Sequence, residues 1–282
     1  MSEIIKVQCL KHIYPDKTKV SVCGLDFIVK AGDRVVILGP NGMGKTTLIA
    51  HILGLLKPLE GEVTVFGKNP SKAFKDIRKK IGVVFQNVDE QIIGPTVRDD
   101  IAFTLRNEGE DSEIIDRRVN EIAKILNITK LLDKIPHYLS GGQKKKVALA
   151  GAISMLPALL ILDEPFDGLD PKSKKEMITL INELNQTKGI TTIITTHDIN
   201  IVPHIADIIY ILNEGHIVKS GTPEEIFSET EVLQRAHLEP PILVQLFERL
   251  QKQGVQVNIP VNVDEAQQMI CNLVEASKKT DK

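Results

Sequence analysis

Cysteine is scarce in this chain of 282 residues: Cys9, Cys23 and Cys271 lie far apart and without metal-ligand spacing. That scarcity argues against a disulfide-stapled secreted scaffold, and the expectation is free thiols in a reducing compartment. A charge of one sign is lacking too. Lys and Arg number 35 against 37 Asp and Glu, a formal net charge of -2, so the overall field favours neither nucleic acid nor an anionic membrane. Long apolar runs are missing. The longest, Ala148 to Leu162, is split by Pro157 and closed by Asp163-Glu164. It falls short of the about 20 residues a spanning helix needs, and predicts a buried helix followed by a buried strand. The opening Met1-Ser2-Glu3-Ile4-Ile5-Lys6 has no long apolar region and no cleavage site, so no signal peptide is expected there. No internal repeat or low-complexity tract occurs. What remains is an ordinary globular composition, 42% hydrophobic and 26% charged, in a length that holds one large domain with or without an appendage.

Short β-like runs, Ile4–Cys9 and Val20–Val29, alternate with turn residues and predict small antiparallel strands. Arg34–Leu38 is a compact apolar run ending at Gly39, the pattern of a buried parallel strand. A helix is expected over Lys45–Leu55, with Leu48, Ile52 and Leu55 along one face. Residues 74 to about 145 are richer in helix formers and charge. Within them Ile114, Ile115, Val119, Ile122, Ile125 and Leu126 recur near helical spacing. This predicts a helical subdomain inserted into an α/β core. Leu159–Leu162 and Ile190–Ile194 are further buried strands, separated by a helix over Lys172–Asn185, and Ile208–Leu212 with His216–Lys219 forms a hairpin or meander. Thr222-Pro223-Glu224-Glu225 reads as a helix start. Further on, Asp264 and Gln267 suit a capping box ahead of the apolar stripe Ala266, Met269, Ile270, Leu273, Val274. That stripe either packs on its own domain or serves as a dimerisation surface. Lys278–Lys282 is expected to be a solvated tail.

Three motifs carry chemistry, and their order matters. Gly39-Pro40-Asn41-Gly42-Met43-Gly44-Lys45-Thr46 follows a strand and opens a helix, the context a phosphate-binding loop requires. Its glycines let backbone N–H groups curl around phosphates, the helix presents its positive end, Lys45 suits the β/γ oxygens, and the Thr46 hydroxyl suits Mg²⁺. The strand Leu159–Leu162 delivers Asp163 and Glu164 to its carboxyl end, where open α/β sheets bind ligands. Asp163 suits the metal, and Glu164 suits general-base polarisation of an attacking water. Between them, Leu139-Ser140-Gly141-Gly142-Gln143 sets two glycines and a hydroxyl at a helix N-terminus, a second phosphate-binding end. The simple alternative there is an N-cap by Ser140, worth about 1 kcal/mol.

With these three in order, residues 1 to about 225 resemble the ATPase subunit of ATP-binding-cassette transporters. The resemblance implies a P-loop NTPase cassette of α/β class: a RecA-like core, an antiparallel β subdomain, a helical subdomain over about 87–145, and a small C-terminal extension over 226–282. It implies ATP and Mg²⁺ as cofactors, with ATP held by Gly39–Thr46 and Thr47 and Mg²⁺ by Thr46, Gln86 and Asp163. It also implies that Ser140, Gly141, Gly142 and Gln143 complete the site of an opposite subunit, so that two composite sites form in a head-to-tail dimer. Tyr14 stands where the family stacks an aromatic on adenine, and Gln86 matches its metal- and water-sensing glutamine. Gly168-Leu169-Asp170 resembles its subunit-contact loop, and His197 matches its γ-phosphate-contacting histidine.

Two stretches, Phe85–Gln91 with Pro95-Thr96-Val97, and Lys144–Gly151, are similar to the energy-coupling-factor importer ATPases, as is Gly221–Phe227. That group includes cobalt, nickel and vitamin importers and carries a C-terminal dimerisation extension. The departures, Lys146 for a commoner Arg and Phe166-Asp167 for a small pair, spare the catalytic positions; the lysines at 144–146 read as a solvated helix face. The resemblance thus implies a peripheral subunit on the cytoplasmic face of the cell membrane. Its partners would be a transmembrane scaffold, a substrate-binding membrane subunit, and a second copy or a paralogue, with no nucleic acid. The alternatives are the ATPase of another transporter of this type and a non-transport nucleotide switch. Against the switch, the chain lacks a coiled-coil insertion, a second cassette and a basic domain.

Overall fold

The computed structural model describes residues 2–14, 19–260 and 262–280. The strands β1 (Glu3–Ile13), β2 (Lys19–Gly24) and β3 (Phe27–Lys30) precede β4 (Arg34–Leu38), which runs into α1 (Lys45–Ile52). Strand β5 (Glu60–Val65) then returns to β1, which pairs antiparallel with β2, β3 and β5. The register Leu10↔Val22 sets Cys9 opposite Cys23. These two are joined as a disulfide, so the expectation of free thiols holds only for exposed Cys271. A separation of 14 residues says nothing about pairing until an antiparallel register brings the two face to face.

The chain continues through α2 (Pro70–Ile77) and β6 (Ile81–Val84) into α3 (Val88–Gln91), α4 (Val97–Asn107), α5 (Ser112–Ile125) and α6 (Gly141–Ile153). Thr96 caps α4 by accepting the Asp99 N–H, and Ile101, Ala102 and Leu105 bury one face of that helix. Ile115, Val119 and Ile122 do the same for α5, whereas Ile125 is 37% exposed and lies off that stripe. These faces meet Val147, Ala148 and Leu149 of α6 in one apolar cluster that continues onto the sheet.

The sheet is completed by β7 (Leu159–Asp163), β8 (Thr191–Thr196), β9 (Ile208–Asn213) and β10 (His216–Gly221), with α7 (Pro171–Lys188) and α8 (Val202–Ile205) between them. Its order is β3-β1-β2-β10-β9-β4-β8-β7-β6, and the run from β9 to β6 is parallel. Strand β4 shows why a continuous apolar run is needed there. Val36 and Leu38 face one core, Val35 and Ile37 the other, and all four are buried. In α1, Leu48 and Ile52 join the core, but Leu55 falls beyond the helix end and is 62% exposed.

The chain closes with α9 (Pro223–Ser228), α10 (Thr230–Arg235), α11 (Ile242–Lys252) and α12 (Val263–Thr280). Thr222 and Glu225 form the capping box of α9. Ile226, Phe227, Leu233 and Val244 belong to the same core cluster as the sheet. At α12 the cap is Asn262 with Glu265, not Asp264 with Gln267: the Asn262 carboxamide accepts the Glu265 N–H at 2.9 Å and donates to its carboxylate at 2.7 Å. Two acidic residues inside the first turn suit the helix N-terminus equally well, which hid the true cap. Ala266 is buried, while Ile270 and Val274 are 44% and 47% exposed. The tail at Lys278–Lys282 lies outside the residues whose side chains are described. Among the described residues, no helix is long and apolar enough to cross a membrane.

Candidate active site

Parallel pairing of β4 with β8, and of β8 with β7, brings three strand ends to one edge. There the loop Gly39–Thr46, the pair Asp163-Glu164 and His197 emerge side by side, as the sheet topology requires. Gly39 has to be glycine, since a Cβ there would lie 2.2 Å from the carbonyl oxygen of Leu212. Gly44 (φ 99°) turns the chain through the left-handed region to start α1, which points its free N–H groups into the loop.

Lys45, 5% exposed, donates to the carbonyls of Gly39 (2.6 Å) and Pro40 (3.2 Å) and pairs with Glu164 Oε1 at 3.1 Å. The other oxygen of Glu164 lies 3.1 Å from Nδ1 of His197. Glu164 is itself 4% exposed and left-handed, at φ 46°. A non-glycine residue costs about 1–2 kcal/mol in that conformation, and here the turn aims its carboxylate back over the loop. The Thr46 hydroxyl donates to Asp163 Oδ2 at 3.1 Å, and the buried Thr195 hydroxyl donates to Oδ1 at 2.5 Å. Thr195 also accepts the Glu164 N–H at 3.0 Å, so one hydroxyl on β8 orients both acidic residues. A hydroxyl and a carboxylate side by side are the hard oxygen donors that magnesium takes together with waters and phosphates. Thr46 and Asp163 therefore fit that ion.

Gln86, just after β6, donates to Asp167 Oδ2 at 3.3 Å, and the other oxygen of Asp167 is 4.0 Å from His197. Asp167 is thus a member of the constellation, and the departure Phe166-Asp167 does not leave the site untouched. Glu164, Asp167 and His197 place one ligand atom each within 4.8 Å of one another. Tyr14 sits beside the loop, its hydroxyl 2.9 Å from that of Thr47.

The Ser140–Gln143 segment lies elsewhere. Ser140 caps α6 in a reciprocal box with Gln143. Ser140, Gly142 and Gln143 line a cleft of about 600 Å³ with Asn127, Asp170 and Ser173, and none of residues 39–47 borders it. Asp170 caps α7, accepting from the N–H groups of Lys172 and Ser173 at 3.0 Å. The Ser173 hydroxyl bond holds its carboxyl below the usual carboxylate range. The structure therefore gathers Lys45, Thr46, Gln86, Asp163, Glu164 and His197 on one surface and leaves the Ser140 helix end and Asp170 on another.

The lysines at 144–146 are not one solvated face. Lys144 and Lys146 reach Asp89 and Glu176, but Lys145 is 8% exposed and donates inward to three backbone carbonyls. Thr195, Asp167 and Lys145 were missed by motif reading. Only the β-branched polar run Thr195-Thr196 before His197 hinted at the first of them.

The ABC transporter family model matches residues 22–167. An energy-coupling factor transporter ATP-binding protein, EcfA, of Methanocaldococcus jannaschii is 44% identical over 261 residues, covering 92% of each chain. Among solved structures, cbiO1 of Clostridium perfringens, described as part of the ABC transporter complex cbiONQ, aligns with a TM-score of 0.76. Its identity is 39%, over 88% of this chain and all of that one. A dimeric ATP-binding cassette, MJ0796, in a post-hydrolysis state with ADP and Pi aligns at 0.70 and 28% identity, over 78% of this chain and 98% of that one. A P-loop, a paired acidic strand end and a separate capped helix end, in a chain this similar to such proteins, make one conclusion plain: the chain belongs to the ABC transporter ATPase family.

Proposed function

We propose that this chain is the ATP-hydrolysing subunit of an energy-coupling-factor importer, acting at the cytoplasmic face of the membrane. The observation that carries the hydrolytic half is Glu164, buried, left-handed and held between Lys45 and His197 at 3.1 Å each. ATP entering the loop offers its phosphate oxygens to Lys45 and to the N-terminus of α1. Lys45 then exchanges its carboxylate partner for phosphate, and Glu164 is left to accept a proton from water, with His197 fixing its orientation. Thr46 and Asp163, with Gln86 nearby, would hold magnesium, which would supply charge neutralisation on the phosphates. Ser140, Gly141, Gly142 and Gln143 serve the nucleotide of a second subunit, whether a copy or a paralogue, and the loop Gly168-Leu169-Asp170 touches that subunit.

The importer half rests on the EcfA and cbiO1 relatives and on the surface after Gln86. There Ile93 and Ile135, which border one groove with Pro95 and His137, are 60% and 52% exposed. Such an apolar surface suits helices of a transmembrane scaffold, which works beside a substrate-binding membrane subunit. The cargo is a transition-metal ion, cobalt or nickel, or a vitamin. Affinity capture from detergent-solubilised membranes should recover two membrane proteins, and the reconstituted complex should accumulate labelled cargo only with ATP. Capture of the chain free of any membrane protein sinks the importer reading and leaves the ATPase intact.

A further inference from the structure

Lys145 projects from the second turn of α6, the helix that carries the Ser140–Gln143 segment, here called the signature, at its capped N-terminus. Its ammonium donates to the carbonyl oxygens of Glu164 (3.3 Å), Pro165 (3.0 Å) and Asp167 (2.6 Å). An ammonium has three N–H donors, so these three acceptors match its capacity. The acceptors all belong to the turn that carries Glu164 into the left-handed region. Within the turn the Asp167 N–H donates to the Glu164 carbonyl at 3.3 Å, and Pro165 has no N–H to contribute. Burial lowers the Lys145 pKa, while the charges of Asp167 and Glu164 oppose that shift. A buried cation is costly unless paired and hydrogen-bonded, and these three carbonyls with the nearby Asp167 and Glu164 charges supply that compensation.

We propose that Lys145 is a positioning residue that couples the signature helix to the catalytic turn of its own chain. This rests on the composite-site reading above. Nucleotide of the opposite subunit docks on the N-terminus of α6, and α6 moves as a rigid unit. Lys145 carries that displacement to the carbonyls of residues 164–167. The carboxylate of Glu164 thus reaches its working position only once the other site is engaged, which links the two sites of a dimer.

Mixed dimers of two differently tagged copies test this, because they separate a chain's own Glu164 from its own signature. Each dimer carries Glu164→Gln in one copy, leaving one working site on the other. Lys145→Met is added either to the Glu164→Gln copy or to the copy with the working Glu164. The proposal expects turnover in the second arrangement to fall at least about tenfold below the first, with KM for ATP shifted far less. Misplacing a catalytic group by about 1 Å costs on the order of 10²-fold. Lys145→Gln, which keeps a donor, should show a smaller asymmetry of the same sign, and it serves if the methionine variant does not fold. Equal losses in both arrangements, or the reverse asymmetry, overturn the proposal; the reverse would mean that Lys145 supports only the signature. Ser140→Arg, placed in the same two arrangements, should show the opposite asymmetry to Lys145→Met. If Ser140→Arg instead disables its own chain's site, the composite reading fails, and that failure is visible independently of Lys145.

Discussion

The ammonium of Lys45 and the carboxylate of Glu164 form a buried ion pair at 3.1 Å, with side chains 6% and 4% exposed. The cation of the phosphate loop and the proposed base of the hydrolytic step are therefore each other's partners. Removing one member of a buried pair leaves the other uncompensated, at a cost of about 3–5 kcal/mol. Lys45 has the Gly39 and Pro40 carbonyls to fall back on. At its oxygens Glu164 has, beyond Lys45, the hydrogen-bonding ring nitrogen of His197 at 3.1 Å. The pair thus favours substitution on the Glu164 side as the informative one.

Glu164→Gln keeps the shape of the side chain but removes its ability to take a proton. Hydrolysis should slow by about 10²–10⁴-fold, the range for loss of a general base. ATP should still bind, because Lys45 no longer has a carboxylate competing with phosphate, and an ATP-bound dimer should accumulate. Single-turnover hydrolysis beside equilibrium nucleotide binding measures both. Turnover near the wild-type rate would remove Glu164 from its role.

Thr195→Val deletes one hydroxyl that serves two acidic residues. It leaves the buried Glu164 N–H unpaired, which costs about 1–3 kcal/mol, or a fall of several degrees in Tm at roughly 2–4 °C per kcal/mol in a chain of this size. Hydrolysis should fall together with the Tm, and Thr195→Ser should restore both. If calorimetry and turnover show no difference between the valine variant and wild type, the bridge through Thr195 is idle.

His51 gives a pH signature. Burial, reinforced by the nearby charge of His12 and opposed only by the Leu56 backbone, lowers its pKa to about 4. The unfolded chain binds this proton near pH 6.5, so between pH 6.5 and about 4 the unfolded state holds more protons than the folded one. Its contribution to stability is full above pH 6.5 and is lost as pH falls toward 4. His51→Leu should flatten the pH dependence of the urea midpoint in that window. A variant whose midpoint falls as steeply as wild type assigns the acid sensitivity to other groups.

The parallel core and the phosphate loop were legible in the sequence because each depends on local signals. Arg34–Leu38 is apolar on both faces, and Gly39–Thr46 spells its own geometry. Glu164 was legible as a strand-end residue, and His197 only through the family resemblance. Lys145 was not, because burial of a helix lysine is decided by what packs over it, here a turn 19–22 residues away in sequence. The Cys9–Cys23 bond and the Asn262 cap were hidden for related reasons, one depending on strand register and the other on two competing acidic first-turn residues.

Ser140→Arg should act across an interface. Ser140 lines a cleft that no residue of its own phosphate loop borders, and in the proposed composite site an arginine there would crowd the nucleotide of the opposite subunit. Monomer affinity for ATP should survive, while ATP-driven dimerisation and cooperative hydrolysis are lost. Equilibrium binding at concentrations where the chain is monomeric, compared with light scattering at high concentration, separates the two. A monomer affinity that falls as far as hydrolysis contradicts a site shared between chains.

The last helix offers the test of the extension. Ile226, Phe227, Leu233 and Val244 are buried in the main core, so a chain ended at Gly221 would lose part of that core and report on stability rather than association. Ending the chain at Pro260 keeps those residues and removes only α12. On that helix Ala266 is buried, but Ile270 and Val274 are 44% and 47% exposed. Apolar side chains of that kind contribute roughly 1.5–3 kcal/mol each when fully buried, before the entropy of association is subtracted. If the stripe meets its copy or a paralogue, the shortened chain should associate more weakly without nucleotide while binding ATP as the full chain does. Sedimentation equilibrium of both chains, nucleotide-free, decides it. An association constant unchanged by the truncation assigns the stripe to packing within its own chain, and the energy-coupling-factor assignment then stands on its relatives and motifs alone.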